Sequence, residues 1–143
     1  MRENMGIYRG KRKDTGEWVE GNLIESDNSH YPMVLIGHVI TSRDKHTNAL
    51  SFDGFDLCEV DSSTVGQFTG LRDKNGECVF EGDVLTVDGE DGFFVLEFQE
   101  DTARFVMSGD CMVVDFDNFW SYEVEVVGNR VDSSELLEVN END

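Results

Sequence analysis

Tight turns built on glycine recur along this chain, and the runs between them are too short and too alternating to be helices. Asp14-Thr15-Gly16, Asp73-Lys74-Asn75-Gly76, Glu81-Gly82-Asp83, Glu90-Asp91-Gly92 and Ser108-Gly109-Asp110 each set a glycine near an acidic residue. Glycine supplies positive φ without steric cost, and short polar side chains bond back to their own backbone. The chain has one proline, Pro32, and no helical stripe of useful length. Short strands recurring every eight to twelve residues or so indicate a small barrel or sandwich, and closure is one way to protect the edges.

The expected strands are Ile7 to Arg12, Trp18 to Ile24, Met33 to Ile40, Phe52 to Val60 and a short connector from Val65 to Phe68. Met33 to Ile40 is apolar on both faces and reads as a buried strand. His30-Tyr31-Pro32 breaks the pattern before it, and the polar stretch Thr41 to Ser51 reads as a flexible loop. Beyond Val79-Phe80 the pattern is more regular: Val84 to Asp88, Phe93 to Gln99, Ala103 to Met107, Cys111 to Asp115 and Tyr122 to Val127. Phe116 to Trp120 is an aromatic bend, and Ser133 to Leu137 can form one helical turn. The fold expected is mainly β: short antiparallel strands, with an SH3-like small barrel in the C-terminal half packed with an N-terminal β module. Boundaries are expected at 1–62, 63–139 and a polar tail 140–143. Gly10-x-Arg12-x-x-x-Gly16-Glu17 and Gly70-x-Arg72-x-x-x-Gly76-Glu77 share their spacing, which duplication and repeated hairpin chemistry explain equally well.

Charge excludes more than it suggests. Eleven basic against 31 acidic residues give −20. Met1 to Lys13 is +4, whereas Asn75 to Asp143 holds only Arg104 and Arg130 against nineteen acids, a net of −17. Such a segment repels phosphate backbones, so no direct nucleic-acid binding is expected. Solubility is the plain reading of the acids; the sharper one is mimicry of nucleic acid at a partner's DNA site. Cys58, Cys78 and Cys111 are odd in number and form no CxxC, which argues against a disulfide framework and a zinc site. No signal-peptide h-region follows the basic start and no apolar run reaches the ~20 residues of a membrane span, so a cytoplasmic location, with no membrane partner, is expected.

Candidate chemistry is sparse. His30, His38 and His46 are evenly spaced, but His38 sits in an apolar run and reads as a core histidine. Asp88-Gly89-Glu90-Asp91-Gly92 lacks the alternating ligands of a calcium loop and reads as a hairpin turn. There is no GxSxG, P-loop or GxGxxG. No catalytic residue, cofactor or metal is expected. Phe116, Phe119, Trp120 and Tyr122 form a candidate interaction patch, since SH3-like barrels bind peptides on aromatic surfaces; closing the barrel core is the alternative role.

One combination of segments is specific. Thr69-Gly70-Leu71-Arg72-Asp73-Lys74-Asn75-Gly76, then Val79-Phe80-Glu81-Gly82-Asp83-Val84-Leu85, then Glu125-Val126-Val127-Gly128-Asn129 with Glu135-Leu136-Leu137, resembles the YopX family. Tyr8-Arg9-Gly10-Lys11 and Trp18-Val19-Glu20-Gly21 are similar to that family's opening strand pair, so the resemblance runs from about Gly6 to Leu137. Cys78 and Val79-Phe80 depart from its usual small polar residue and Ile-Tyr, as packing exchanges. The resemblance implies a protein of bacteriophages and prophages, mainly β with an SH3-like C-terminal barrel. It implies no established molecular function and supplies no catalytic residues. Gly70, Asn75, Gly76, Gly82 and Asp83 are read as a structural turn motif, with positive φ accepted at both Asn75 and Gly76 and the carboxylate of Asp83 fixing its loop. The expected function is that of an accessory protein working through a protein partner, with a homo-oligomer left open by exposed edge strands. An acidic DNA mimic that inhibits a host nucleic-acid enzyme is the alternative.

Overall fold

The computed structural model describes residues 7–26, 30, 32–110 and 112–138. The expectations placed on Tyr31, Cys111, the tail 140–143 and the side chain of Phe119 lie outside the described residues. Strands dominate, arranged as two antiparallel sheets with very little helix. The chain divides between Val65 and Gly66 into two compact units.

The first unit is a meander of β1 (Tyr8–Lys11), β2 (Trp18–Glu25), β3 (Val34–Arg43) and β4 (Leu50–Glu59), each paired antiparallel with the next. A 3-10 turn, Ser62–Thr64, follows. Asp61 caps it, accepting from the backbone N–H and hydroxyl of Ser63, and these bonds hold its carboxyl below the ordinary value. The core here is small: Ile36 and Val60 are buried, and a Cβ on Gly10 would stand 3.1 Å from Cδ1 of Ile36 and 3.2 Å from Val60. Gly10 is therefore set by packing.

Two expectations for this unit are corrected. β3 is not a buried strand: it runs on to Arg43, and His38, Val39 and Ile40 are all exposed. His38 is accordingly no core histidine. Nor is Thr41 to Ser51, expected as a flexible loop, a loop throughout. Its ends belong to β3 and β4, and the turn between them is tied by Asp44, which accepts from the N–H groups of Thr47 and His46. Those bonds lower the Asp44 pKa.

The second unit opens with the hairpin of β5 (Gly66–Arg72) and β6 (Cys78–Phe80). A five-stranded antiparallel sheet follows in the order β10-β9-β8-β7-β11. It comprises β7 (Asp83–Val87), β8 (Phe94–Gln99), β9 (Arg104–Ser108), β10 (Val113–Asp115) and β11 (Val124–Asn129). β10 and β11 stand at its ends, and no closed barrel forms among the described residues. Two short helices, α1 (Asn118–Ser121) and α2 (Ser134–Glu138), flank β11 in sequence. The core is one cluster of Val79, Leu85, Val87, Phe94, Leu96, Met107, Phe116 and Val124. Alternation along β7 and β8 delivers Leu85, Val87, Phe94 and Leu96 to a single face. Phe98, expected beside Phe94 and Leu96, is instead 40% exposed, its ring packed edge-on against that of Phe105 with centroids 5.3 Å apart.

The Asp73 to Gly76 turn also differs from its expectation. Only Gly76 takes positive φ, at 84°; Asn75 stays out of that region. The N–H of Gly76 donates to the carbonyl of Asp73 at 3.0 Å, and that of Asp73 donates to the carbonyl of Glu77 at 2.8 Å. This is an ordinary turn closed by a left-handed glycine, and Asp73 rather than Asn75 steers it: its Oδ1 accepts from the N–H groups of Asn75 and Glu77, both at 2.9 Å. Both stretches of the Gly-x-Arg-x-x-x-Gly-Glu spacing end in hairpins, β1–β2 and β5–β6, with Gly16 at φ 73° matching Gly76.

Candidate functional site

The segments singled out by sequence meet in the second unit. Asp73 is buried, and its Oδ2 accepts from the N–H of Val126 at 2.9 Å, while the N–H of Lys74 donates to the carbonyl of Val124. Lys74 reaches Asp88 at 3.0 Å, and this raises its pKa. The N–H of Arg130 donates to the carbonyl of Gly82, and Asp83 pairs with Asn129 across β7 and β11. Asp83 is 1% exposed, and its Oδ2 accepts from the N–H of Phe80 at 2.7 Å. Gly70 and Gly82 both take positive φ, 90° and 92°. These residues tie hairpin to closing strand, and none of them lines either of the two cavities described below.

The aromatic residues separate. Phe116 is in the core, Trp120 is half-buried against it, and Tyr122 is 71% exposed. Trp120 is placed by α1, whose first turn is held by the Ser121 hydroxyl donating to the carbonyl of Asn118.

Trp120 forms one wall of a cavity of about 100 Å³, lined by Val87, Phe94, Met107, Met112 and Val114 with Glu90 at its margin. A second cavity of about 200 Å³ adjoins it, sharing Glu90, Phe94 and Met112 and adding Asp91 and Asp110. Two turns frame the site. The β7–β8 turn carries Glu90 and Asp91, and the β9–β10 turn is closed by the N–H of Gly109 donating to the carbonyl of Met112. A Cβ on Gly109 would stand 2.7 Å from the Phe94 ring, so glycine lets that ring form the wall. The cavity at Trp120 is apolar apart from Glu90, and the adjoining one carries the carboxylates of Glu90, Asp91 and Asp110 on its lining. An apolar cavity of this order holds a group the size of a benzene ring or an aliphatic side chain, and carboxylates beside it favour a cationic neighbour. Among the described residues, no three or more His, Cys, Asp or Glu side chains gather as metal ligands.

Of this cavity, sequence reading identified Trp120 alone. Met107, Met112 and Val114 sit on two strands and a turn whose alternation reads only as core, and nothing in it marks a gap in the packing.

Fold and site together define a mainly β protein of two antiparallel sheets, with an apolar cavity in its second unit and carboxylates lining the one that adjoins it. The chain belongs to the YopX protein family, whose family model matches residues 7–138. Its fold is similar to the crystal structure of protein EF1440 from Enterococcus faecalis, with a TM-score of 0.60 and 23% identity over 91% of this chain and 96% of that one. No curated protein matches. No helix among the described residues is long and apolar enough to cross a membrane.

Proposed function

We propose that this is a phage or prophage accessory protein that works in the bacterial cytoplasm by binding a protein partner rather than by catalysis. The observation that carries the reading is the apolar cavity at Trp120, lined also by Glu90, with Asp91 and Asp110 on the lining of the cavity that adjoins it. The matching partner segment has one buried apolar anchor flanked by Lys or Arg. Anchor residues in well-packed pockets supply most of the energy of such contacts, while neighbouring carboxylates speed encounter with a basic partner. We read β7–β11 as an SH3-like barrel variant, in which an aromatic surface receiving a peptide is a familiar use of the scaffold.

A random peptide library displayed against the protein tests this. Enrichment of sequences with an apolar residue between basic ones, lost on Val114→Phe, is the expected result. Val114→Phe narrows the cavity from a half-buried wall, and an unchanged circular dichroism spectrum verifies its fold. Enrichment that survives Val114→Phe, or none, overturns the reading. The DNA-mimic alternative draws on acidic surface without the cavity, so a partner captured equally by both forms favours it.

A further inference from the structure

The outer part of the first unit is a two-stranded arm with an apolar face. Beyond Gly37 the β3–β4 register pairs Val39 with Phe55, Thr41 with Phe52 and Arg43 with Leu50. Directly paired residues share a face, and alternate residues of a strand return to it. Val39, Phe55, Phe52 and Leu50 therefore stand together, while His38, Ile40, Ser42, Asp56 and Ser51 occupy the reverse, with Ile40 its one large apolar side chain. A one-residue bulge is responsible. Ile40 pairs with Gly54 and Thr41 with Phe52, so Asp53 is extra, and Phe52 and Phe55 share a face although they lie three apart. Phe52 is 73% exposed, Phe55 69% and Leu50 55%. Clustered exposure of large apolar groups marks an interaction surface.

We propose that this face is covered by a second copy of the chain, packed face to face across a two-fold axis at the Val39–Phe55 pair. Charge selects that occupant. A chain of −20, with −17 of it from Asn75 onward, repels its own copy over the acidic C-terminal half, but His38 to Leu57 holds Arg43 and Lys45 against Asp44, Asp53 and Asp56, a net of only −1. The layout is also self-complementary. Arg43 lies four residues toward the tip from Val39, and the Leu35–Glu59 pair lies four residues toward the base. Each offset is about 13 Å. An antiparallel, isologous arrangement lays the Arg43 of each copy over the Glu59 of the other. Glu59 already meets Lys13 at 3.2 Å and remains partly exposed, with a second oxygen to accept Arg43.

Sedimentation equilibrium tests the proposal. The wild type is expected to dimerise at micromolar concentration. Phe52→Glu with Phe55→Glu should weaken the dimer at least about 100-fold, since central aromatic anchors carry such contacts. Both side chains are exposed, so an unchanged thermal midpoint at monomer-forming dilution verifies the fold. Arg43→Glu should weaken association about tenfold and Arg43→Glu with Glu59→Arg should restore it. A wild type that stays monomeric at millimolar concentration overturns the proposal and leaves the face to a foreign partner. A dimer indifferent to the Phe substitutions, or a charge exchange without rescue, overturns it equally.

Discussion

Asp73 accepts backbone hydrogen bonds from Asn75, Glu77 and Val126 with its two buried oxygens. Removing the carboxylate leaves those donors unsatisfied, so Asp73→Ala is expected to cost about 3 kcal/mol, read from urea unfolding. Two glycines give a sharper contrast. A Cβ on Gly76 meets open space, so Gly76→Ala should cost only the left-handed conformation, about 1 kcal/mol. A Cβ on Gly66 would fall on the backbone carbonyl of Glu81, so Gly66→Ala should cost about 3 kcal/mol with β5 and β6 forced apart. The asparagine-glycine pair announced the hairpin correctly and misled about its chemistry. The deciding bond, from the N–H of Val126 to the Asp73 carboxylate, spans 53 residues, and no local pattern carries it. Titration adds a local test. The Asp44 carboxyl is lowered in the folded chain, so what it contributes is present above the ordinary value near 4 and lost as pH falls through the lower, folded one. Amide exchange at His46 and Thr47, corrected for intrinsic rates, should stay slow down to that point and accelerate below it.

At the scale of elements, β11 is held on one side by β7 and at its end by α2. A Cβ on Gly128 would stand 2.8 Å from Cβ of Ser133 and 3.5 Å from Cδ1 of Leu136. Gly128→Ala is therefore expected to push α2 off β11: exchange protection should fall at Leu136 while the core strands β7 and β8 keep theirs. Element type was legible because turn residues punctuate so regularly, and most strands lie within a few residues of their expected places. What the pattern could not carry was coverage. Val34 to Ile40 is apolar at alternate and intervening positions, as a doubly buried strand would be, yet only Ile36 is a buried side chain in it. The bulge at Asp53 hides the arm's apolar face, because Leu50, Phe52 and Phe55 break the two-residue period that would reveal it. The cavity was illegible for a related reason: its walls are core residues, and a packing gap belongs to the assembled layer.

Taken whole, the molecule carries a charge of −20 that its few cations do little to offset. Lys74 pairs with Asp88 and Arg104 with Asp115, all at exposed positions where such pairs contribute little. Net self-repulsion is screened by salt, so the urea midpoint should rise with sodium chloride and level off at high ionic strength. On the proposed reading, the same field favours a basic partner segment at the cavity beside Trp120. Methionine methyl resonances examine that claim directly, because Met107 and Met112 line the cavity and Met33 belongs to the first unit. The probe is a short Lys- and Arg-rich peptide with one central Phe, compared with the same peptide carrying Gly there. Saturable shifts at Met107 and Met112, absent at Met33 and absent with the Gly peptide, are the predicted result. Shifts at Met33 alone, or the same response to both peptides, would contradict it.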